Sequence, residues 1–159
     1  MLKTAAGTKV YISAIPVADE TDTLAEFTAL QWTEIGLVEN LPEYGDEAAA
    51  VTFTSLGDGR VRKGKGARDA GSMTLTFGND PEDEGQLAVI AAEGTNFSYG
   101  FRVVYPDRPN PSGTDSEEFF RGIVRSKRRA GGDVNAVLRR TATVDIDSEV
   151  FEKPATRSA

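Results

Sequence analysis

The chain has 159 residues, with 25 Asp and Glu against 18 Lys and Arg for a formal net charge of −7, and neither histidine nor cysteine. This length suits one domain with a substantial core. The composition excludes disulfides, a thiolate nucleophile, Cys-type zinc sites and the side chain most used for proton transfer near neutral pH, so the chain is read as a non-enzyme without cofactor.

Paired carboxylates could still do acid-base work, as in glycosidases, but in an acidic chain they are first the solvating residues of its surface. No apolar run approaches the ~18 residues of a membrane span, and the N-terminus lacks the pattern of a signal peptide. The chain is therefore read as soluble, made in a cytoplasm and without membrane anchor.

In chain order, residues 8–17 and 33–41 are rich in Val, Ile, Tyr, Trp and Thr and are expected as strands, separated by an acidic turn, "ADETDTLAEF". Residues 49–56 and 72–77 alternate apolar residues with Thr and give two more strands. Between them "GDGRVRKGKGARDAG" is expected as a long hairpin tip. Part of it, "GRVRKGKG", approaches a phosphate-binding loop. However, Gly66 stands where a Ser or Thr should reach Mg²⁺, and a strand follows where a helix is required.

"NDPEDEGQLAVIAAEG" is expected as a helix, with Asn79 or Asp80 as N-cap, Pro81 in the first turn, Gly94 as the stop, and Leu87, Ile90 and Ala91 as its apolar stripe. Residues 97–105 alternate Phe, Tyr and Val with other residues. They read as a strand facing a core, although aromatics of this spacing beside Arg102 could also stack bases. A Pro-rich loop leads to a last pair of strands, 118–129 and 134–147, turning at "AGGD". On the second, Val134, Ala136, Leu138, Ala142, Val144 and Ile146 share one face, broken by Arg140. The sum is mainly β: a β-sandwich or barrel of about seven strands with one packed α-helix, a long inter-strand loop, a domain over 1–152 and a flexible tail over 153–159.

Charge is segregated along this order. Residues 10–59 hold ten acids (Asp19, Glu20, Asp22, Glu26, Glu34, Glu39, Glu43, Asp46, Glu47 and Asp58) and no Lys or Arg. Five cations, Arg60, Arg62, Lys63, Lys65 and Arg68, lie in the Gly-rich stretch, and seven more lie between Arg121 and Arg140 beside a single acid, Asp133. The segments could neutralise one another within a subunit or between copies. A loop longer than the ~2–5 residues that turn a hairpin is usually functional, and five positive charges fit phosphates or the acidic surface of another copy.

Five segments in this order, "WTEIGLVENLPE", "GKGARDAGSMTLTFGNDPEDEGQLAVIAA" with its acid-Gly-Gln element, "FRVVYPD", "FFRGIVRSKRR" and "VLRRTATVDI", resemble the major tail tube proteins of long-tailed non-contractile bacteriophages, the family of the phage lambda tail tube. The resemblance implies a structural virion protein made in the host cytoplasm. Its subunits would form hexameric rings with a continuous inner β-barrel, stacked around a tape-measure protein and ending at tail tip and terminator proteins, with DNA in transit through the bore. Some relatives append an immunoglobulin-like domain, and this chain is expected to stop at the tube domain.

The resemblance also implies that the long loop reaches a neighbouring ring. Arg60, Arg62, Lys63, Lys65 and Arg68 would then meet an acidic surface including Glu39, Glu43, Asp46 and Glu47. The bore is expected to be lined by the polar side of the last strand: Asn135, Arg139, Thr141, Thr143 and Asp145. The competing class is a nucleic-acid-binding β protein gripping duplex with the hairpin Arg60–Arg68 and the Arg121–Arg129 strand. The acidic total and the lack of aromatics in the loop weigh against it. A carbohydrate-binding or hydrolytic sandwich has only carboxylates and aromatics in its favour.

Overall fold

The computed structural model describes residues 2–18 and 23–158. Asp19, Glu20 and Asp22, part of the acidic run, lie outside them.

Seven strands form one antiparallel path. Its order is β2 (Trp32–Ile35), β1 (Lys9–Pro16), β7 (Tyr99–Val104), β8 (Glu117–Ala130), β9 (Arg139–Ile146), β6 (Ser72–Gly78) and β3 (Val38–Asn40), and a short β10 (Phe151–Lys153) pairs with β8 beyond the end of β9. The two ends of the path, β2 and β3, are consecutive in sequence and separated only by Gly36 and Leu37. The sheet therefore curls until its edges are joined by a covalent turn, and β2 and β3 do not hydrogen-bond to each other. This explains why residues 33–41, expected as one strand, are two. Leu37 takes φ 57°, turning the chain so that β2 pairs with β1 and β3 with β6.

Inside the curl lies one apolar core. Val10 and Ile12 of β1, Met73, Leu75 and Phe77 of β6, Phe101 and Val103 of β7, Phe120 and Val124 of β8 and Ala142 and Val144 of β9 are all buried. Their spacing of two along each strand is the pleat that the sequence displays. Phe101 and Phe120 stack with centroids 5.6 Å apart, so the aromatic series of residues 97–105 serves the core at its centre, while Phe97 lies outside it, exposed.

Two helices are present among the described residues where one was expected. α1 (Leu24–Ala29) falls within the expected acidic turn. Thr23 caps it by accepting from the Glu26 amide at 3.2 Å, the Thr-x-x-Glu pattern of a helix start. It covers a second cluster on the outer side of β8, where Phe27, Trp32, Phe119 and Phe151 pack with centroids 5.6–6.1 Å apart. Gly100 leaves room for it, since a Cβ there would come within 3.0 Å of the Trp32 ring.

α2 (Glu84–Glu93) begins later than expected, with Asp83 as N-cap and residues 80–83 forming a turn ahead of it; Gly94 is its C-cap as expected. Its inward face is Gly85, Gln86, Val89 and Ala92, and Leu87 of the expected stripe is 49% exposed. The cause is at Gly85, where a Cβ would stand 2.0 Å from the Glu34 carbonyl oxygen. The helix lies with its backbone against β2, and that contact fixes its rotation.

The last strand is shorter than expected. An Asx turn at Asp133, which accepts from the Asn135 amide at 3.0 Å, and Gly132 at φ 71° end the ladder, so residues 131–138 form a turn and β9 starts at Arg139. Beyond β10 the chain end runs beside the 110–114 loop, with Thr114 and Thr156 exchanging backbone bonds at 2.9 and 3.2 Å and the Ser158 carbonyl accepting from Asn110 at 3.0 Å.

Candidate functional site: a two-stranded arm and a polar sheet face

The Gly-rich stretch is a strand and not a loop. β5 (Val61–Asp69) pairs antiparallel with β4 (Glu47–Thr54) along its length, from Glu47 opposite Asp69 to Thr54 opposite Val61, with a bulge between Ala48 and Ala50. Gly and Lys are weak strand formers, and cross-strand pairing overrides that preference here. Only residues 55–60 turn the chain, with the Gly59 amide bonding the Ser55 carbonyl at 2.8 Å and Gly59 at φ 64°. These two strands form a sheet of their own, joined to no strand of the main one. Beyond its base, nearly every residue of this arm is exposed, on both faces. The eight residues of β4 give it a reach of about 25 Å.

The five expected cations all lie on the arm or its turn. Arg62 pairs with Asp58 at 2.8 Å, and the Asp58 carboxylate also accepts from the Arg60 amide at 3.0 Å. Among the described residues Arg60, Lys63, Lys65 and Arg68 form no ion pair. The other basic segment behaves differently, because Arg121 pairs with Asp147, Arg125 with Asp145, Lys127 with Glu93 and Arg139 with Glu39. Neutralisation within the subunit thus accounts for most of the 121–140 cations and little of the arm. On β8 Arg121, Arg125 and Lys127 are thus engaged, while Arg128 and Arg129 are exposed and form no ion pair among the described residues.

The four expected acidic residues are engaged to different degrees. Glu39 holds Arg139 through two bonds of 2.6 and 3.0 Å, and this hydrogen bonding keeps its carboxyl below the usual range. Asp46 accepts from the Val150 amide at 3.1 Å, Glu43 is exposed, and Glu47 sits on the arm itself, at its base.

On β9, Arg139, Thr141, Thr143 and Asp145 point away from the face that carries Ala142, Val144 and Ile146 into the core. Register extends this polar face to Ser72, Thr74 and Thr76 on β6, and Thr74 and Thr143 hydroxyls stand 3.4 Å apart. Asn135 is not part of it but lies in the 131–138 turn.

The element that sequence reasoning noted without a role is the acid-Gly-Gln start of α2. Gln86 is 1% exposed; its amide donates to the Gly36 and Gly78 carbonyls, both at 2.8 Å, and its oxygen accepts from the Asp80 amide at 2.9 Å. Asp83 accepts from both the Gly36 and Gln86 amides, at 3.0 and 2.9 Å. One helix start therefore clamps the 36–37 turn, the end of β6 and the 80–83 turn together. A glutamine in the first turn of a helix after an Asp was the available signal; its partners are 47–50 residues away in sequence on one side.

A third cluster lies beneath residues 3–8. Tyr44 and Tyr105 hydroxyls are 2.7 Å apart, Tyr44 also bonds Glu118, and burial pushes all three groups above their ordinary pKa values.

Several solved structures share this fold. The SPP1 tail tube has a TM-score of 0.64 at 14% identity, covering 92% of this chain and 76% of that one. The sheath/tube terminator of the PVC extracellular contractile injection system has 0.69 at 11%, covering 96% and 97%. A chain of the six-fold symmetrised anti-feeding prophage baseplate has 0.65 at 10%, covering 97% and 98%. Among curated proteins no sequence matches. The family described as phage tail tube protein, TTP, matches residues 13–151. With that match spanning most of the chain over a mainly β fold shared with tail tubes, this chain belongs to the phage tail tube protein family, and its role is a structural one in the phage tail.

Proposed function

We propose that this chain forms hexameric rings that stack into the tail tube, each subunit lending strands to a continuous inner barrel, and that the β4–β5 arm joins one ring to the next. The observation that carries this reading is the arm itself. A two-stranded hairpin is marginal in water on its own, and this one projects from the body exposed on both faces with four of its five cations unpaired among the described residues. An exposed, unsatisfied element of this kind gains order and contacts on another copy. Exposed ion pairs contribute only ~0.2–1 kcal/mol each, so the joint depends on several contacts repeated around a ring.

The bore-facing surface in this reading is the polar face of Arg139, Thr141, Thr143 and Asp145. On β9 its one cation, Arg139, is already held by Glu39, and β8 adds Arg128, opposite Thr141 and without an ion pair among the described residues. Each Lys or Arg contact to phosphate adds affinity, so a face this sparse in free cations brakes passing DNA little. The partners are further copies of the chain, a tape-measure protein inside the tube and tip and terminator proteins at its ends, assembled in the host cytoplasm. The solved relatives described as a tail tube and as a tube terminator support this arrangement.

Changing Lys63, Lys65 and Arg68 together to Glu should abolish tubes seen by negative-stain electron microscopy while the circular dichroism of the domain stays unchanged. Normal tubes from that variant would overturn the role of the arm's charges.

A further inference from the structure

We infer that the arm docks through its apolar face, seating Val51 and Phe53 on a second copy against a patch made by Leu37, Val137 and Leu138. This rests on the stacking reading above and names the surface that receives the arm.

The arm has two unlike faces. In its register Val51 lies opposite Gly64 and Phe53 opposite Arg62, while Thr52 lies opposite Lys63 and Ala50 opposite Lys65. Cross-strand partners share a face, so Lys63 and Lys65 stand with Ala50 and Thr52 on one side, and Val51 and Phe53 form an apolar ridge on the other. Val51 is 51% and Phe53 66% exposed. Beside Val51 the partner strand is bare, and Arg62, held by Asp58, stands opposite Phe53. A Cβ at Gly64 would meet nothing within 4 Å, and Val51 leans over Gly66, where a Cβ would stand 2.9 Å from it. Glycine weakens a strand, and two on one face leave room for another surface to come close.

The receiving patch carries a cost of its own. Leu37 is the one non-glycine at positive φ among the described residues, in a left-handed conformation that is strained for a residue with a Cβ. Its side chain is nevertheless large, apolar and mostly exposed. Gly or Asn would serve the turn better, so the leucine is kept for what it touches. Leu138 and Val137 are exposed to the same degree. The carbonyl of Leu37 accepts from Gly78 and that of Leu138 from Asn79, both at 2.9 Å, which places the two leucines on either side of the end of β6. The Gln86 and Asp83 clamp holds this end in place. Asp80 and Glu82 follow directly, unpaired with any cation among the described residues, and complement the cations nearest the ridge, Arg62 opposite Phe53 and Arg60 in the turn beyond it.

The two surfaces lie at opposite ends of one strand. The arm leaves beside Ser72, and the patch adjoins Gly78, the other end of the seven-residue β6. A contact between unlike surfaces at opposite ends of a subunit is heterologous and repeats from copy to copy without closing.

The natural absence of cysteine allows a direct test. Phe53→Cys and Leu37→Cys, combined in one chain and treated with a short bismaleimide, should give a ladder of covalent multimers, whereas Lys63→Cys with Leu37→Cys, on the other face of the arm, should not. Leu37→Gly should melt at the same temperature or higher, because the strain is relieved, yet need at least tenfold more protein to form tubes. Wild-type-like tubes with no Phe53–Leu37 ladder, an intramolecular cross-link alone, or an unchanged tube threshold in Leu37→Gly would overturn the seat and leave stacking standing. Absence of stacked assemblies from the wild-type chain, even with its tail-tip proteins, would overturn both.

Discussion

Replacing Gln86 by Leu keeps roughly the side-chain volume and removes three hydrogen bonds at once. The carbonyls of Gly36 and Gly78 and the amide of Asp80 lose their partner. A buried polar group left unsatisfied costs ~1–3 kcal/mol, and the low end applies because these three backbone groups are only half-buried and regain some water, giving about 3 kcal/mol. The gain from burying an added methyl group is about 0.8 kcal/mol. The net loss is ~2 kcal/mol, a fall in melting temperature of roughly 4–8 °C for a chain of this size. The only tryptophan, Trp32, packs against Phe119, so its fluorescence reports unfolding in urea at protein concentrations below assembly. Gln86→Glu provides the sign. It keeps the acceptor for Asp80 but sets a carboxylate against two carbonyl oxygens, so it should be worse than Leu at neutral pH and improve as acid protonates it. A Gln86→Leu protein within ~0.5 kcal/mol of wild type, the usual spread for inert surface changes, would refute the clamp.

Two further outcomes follow from close contacts and titration. Gly85→Ala places a methyl against the backbone of β2 and should destabilise by about 3 kcal/mol or prevent folding, read by calorimetry; a stable variant would show that α2 can move off β2. Glu118 has its carboxyl pKa raised by burial and faces Glu152 across the β8–β10 pair. The folded state therefore holds this proton more tightly than the unfolded chain, and the ionised form opposes folding above the ordinary carboxylate value of 4.5. Glu118→Gln should raise the melting temperature at pH 7, with the gain fading as pH falls toward that value. A gain independent of pH would assign the effect to packing.

Most of the strands that alternate in sequence are present in the structure, although Val134, Ala136 and Leu138, which also alternate, lie in a turn. Met73, Leu75 and Phe77, or Ala142, Val144 and Ile146, show their buried side through a period of two that needs no partner to be recognised. Charge segregation was equally visible, because it is a property of the chain order. Even α1, absent from the strand reading, was announced by Thr23 and Glu26 at capping spacing. What could not be read were features created by a remote partner. Residues 61–69 have the composition of a loop and become a strand because β4 lies beside them. Residues 33–41 look continuous and break at Leu37 because a clamp from the start of α2 holds the turn. The rotation of α2 was set by a contact between its backbone and β2 at Gly85, where the relevant property is the lack of a side chain.

The amino-acid sequence by itself determined a β-rich, cysteine-free and histidine-free structural subunit with a cationic insertion, since hydrophobic period and charge are local quantities. Only the tertiary structure decided that the insertion is a two-faced strand pair, that most of the other basic segment is neutralised at home, and that Leu37 is presented outward at the far end of β6. Those depend on which distant backbone groups meet, and hydrogen-bond partners tens of residues apart leave no periodic trace in the chain.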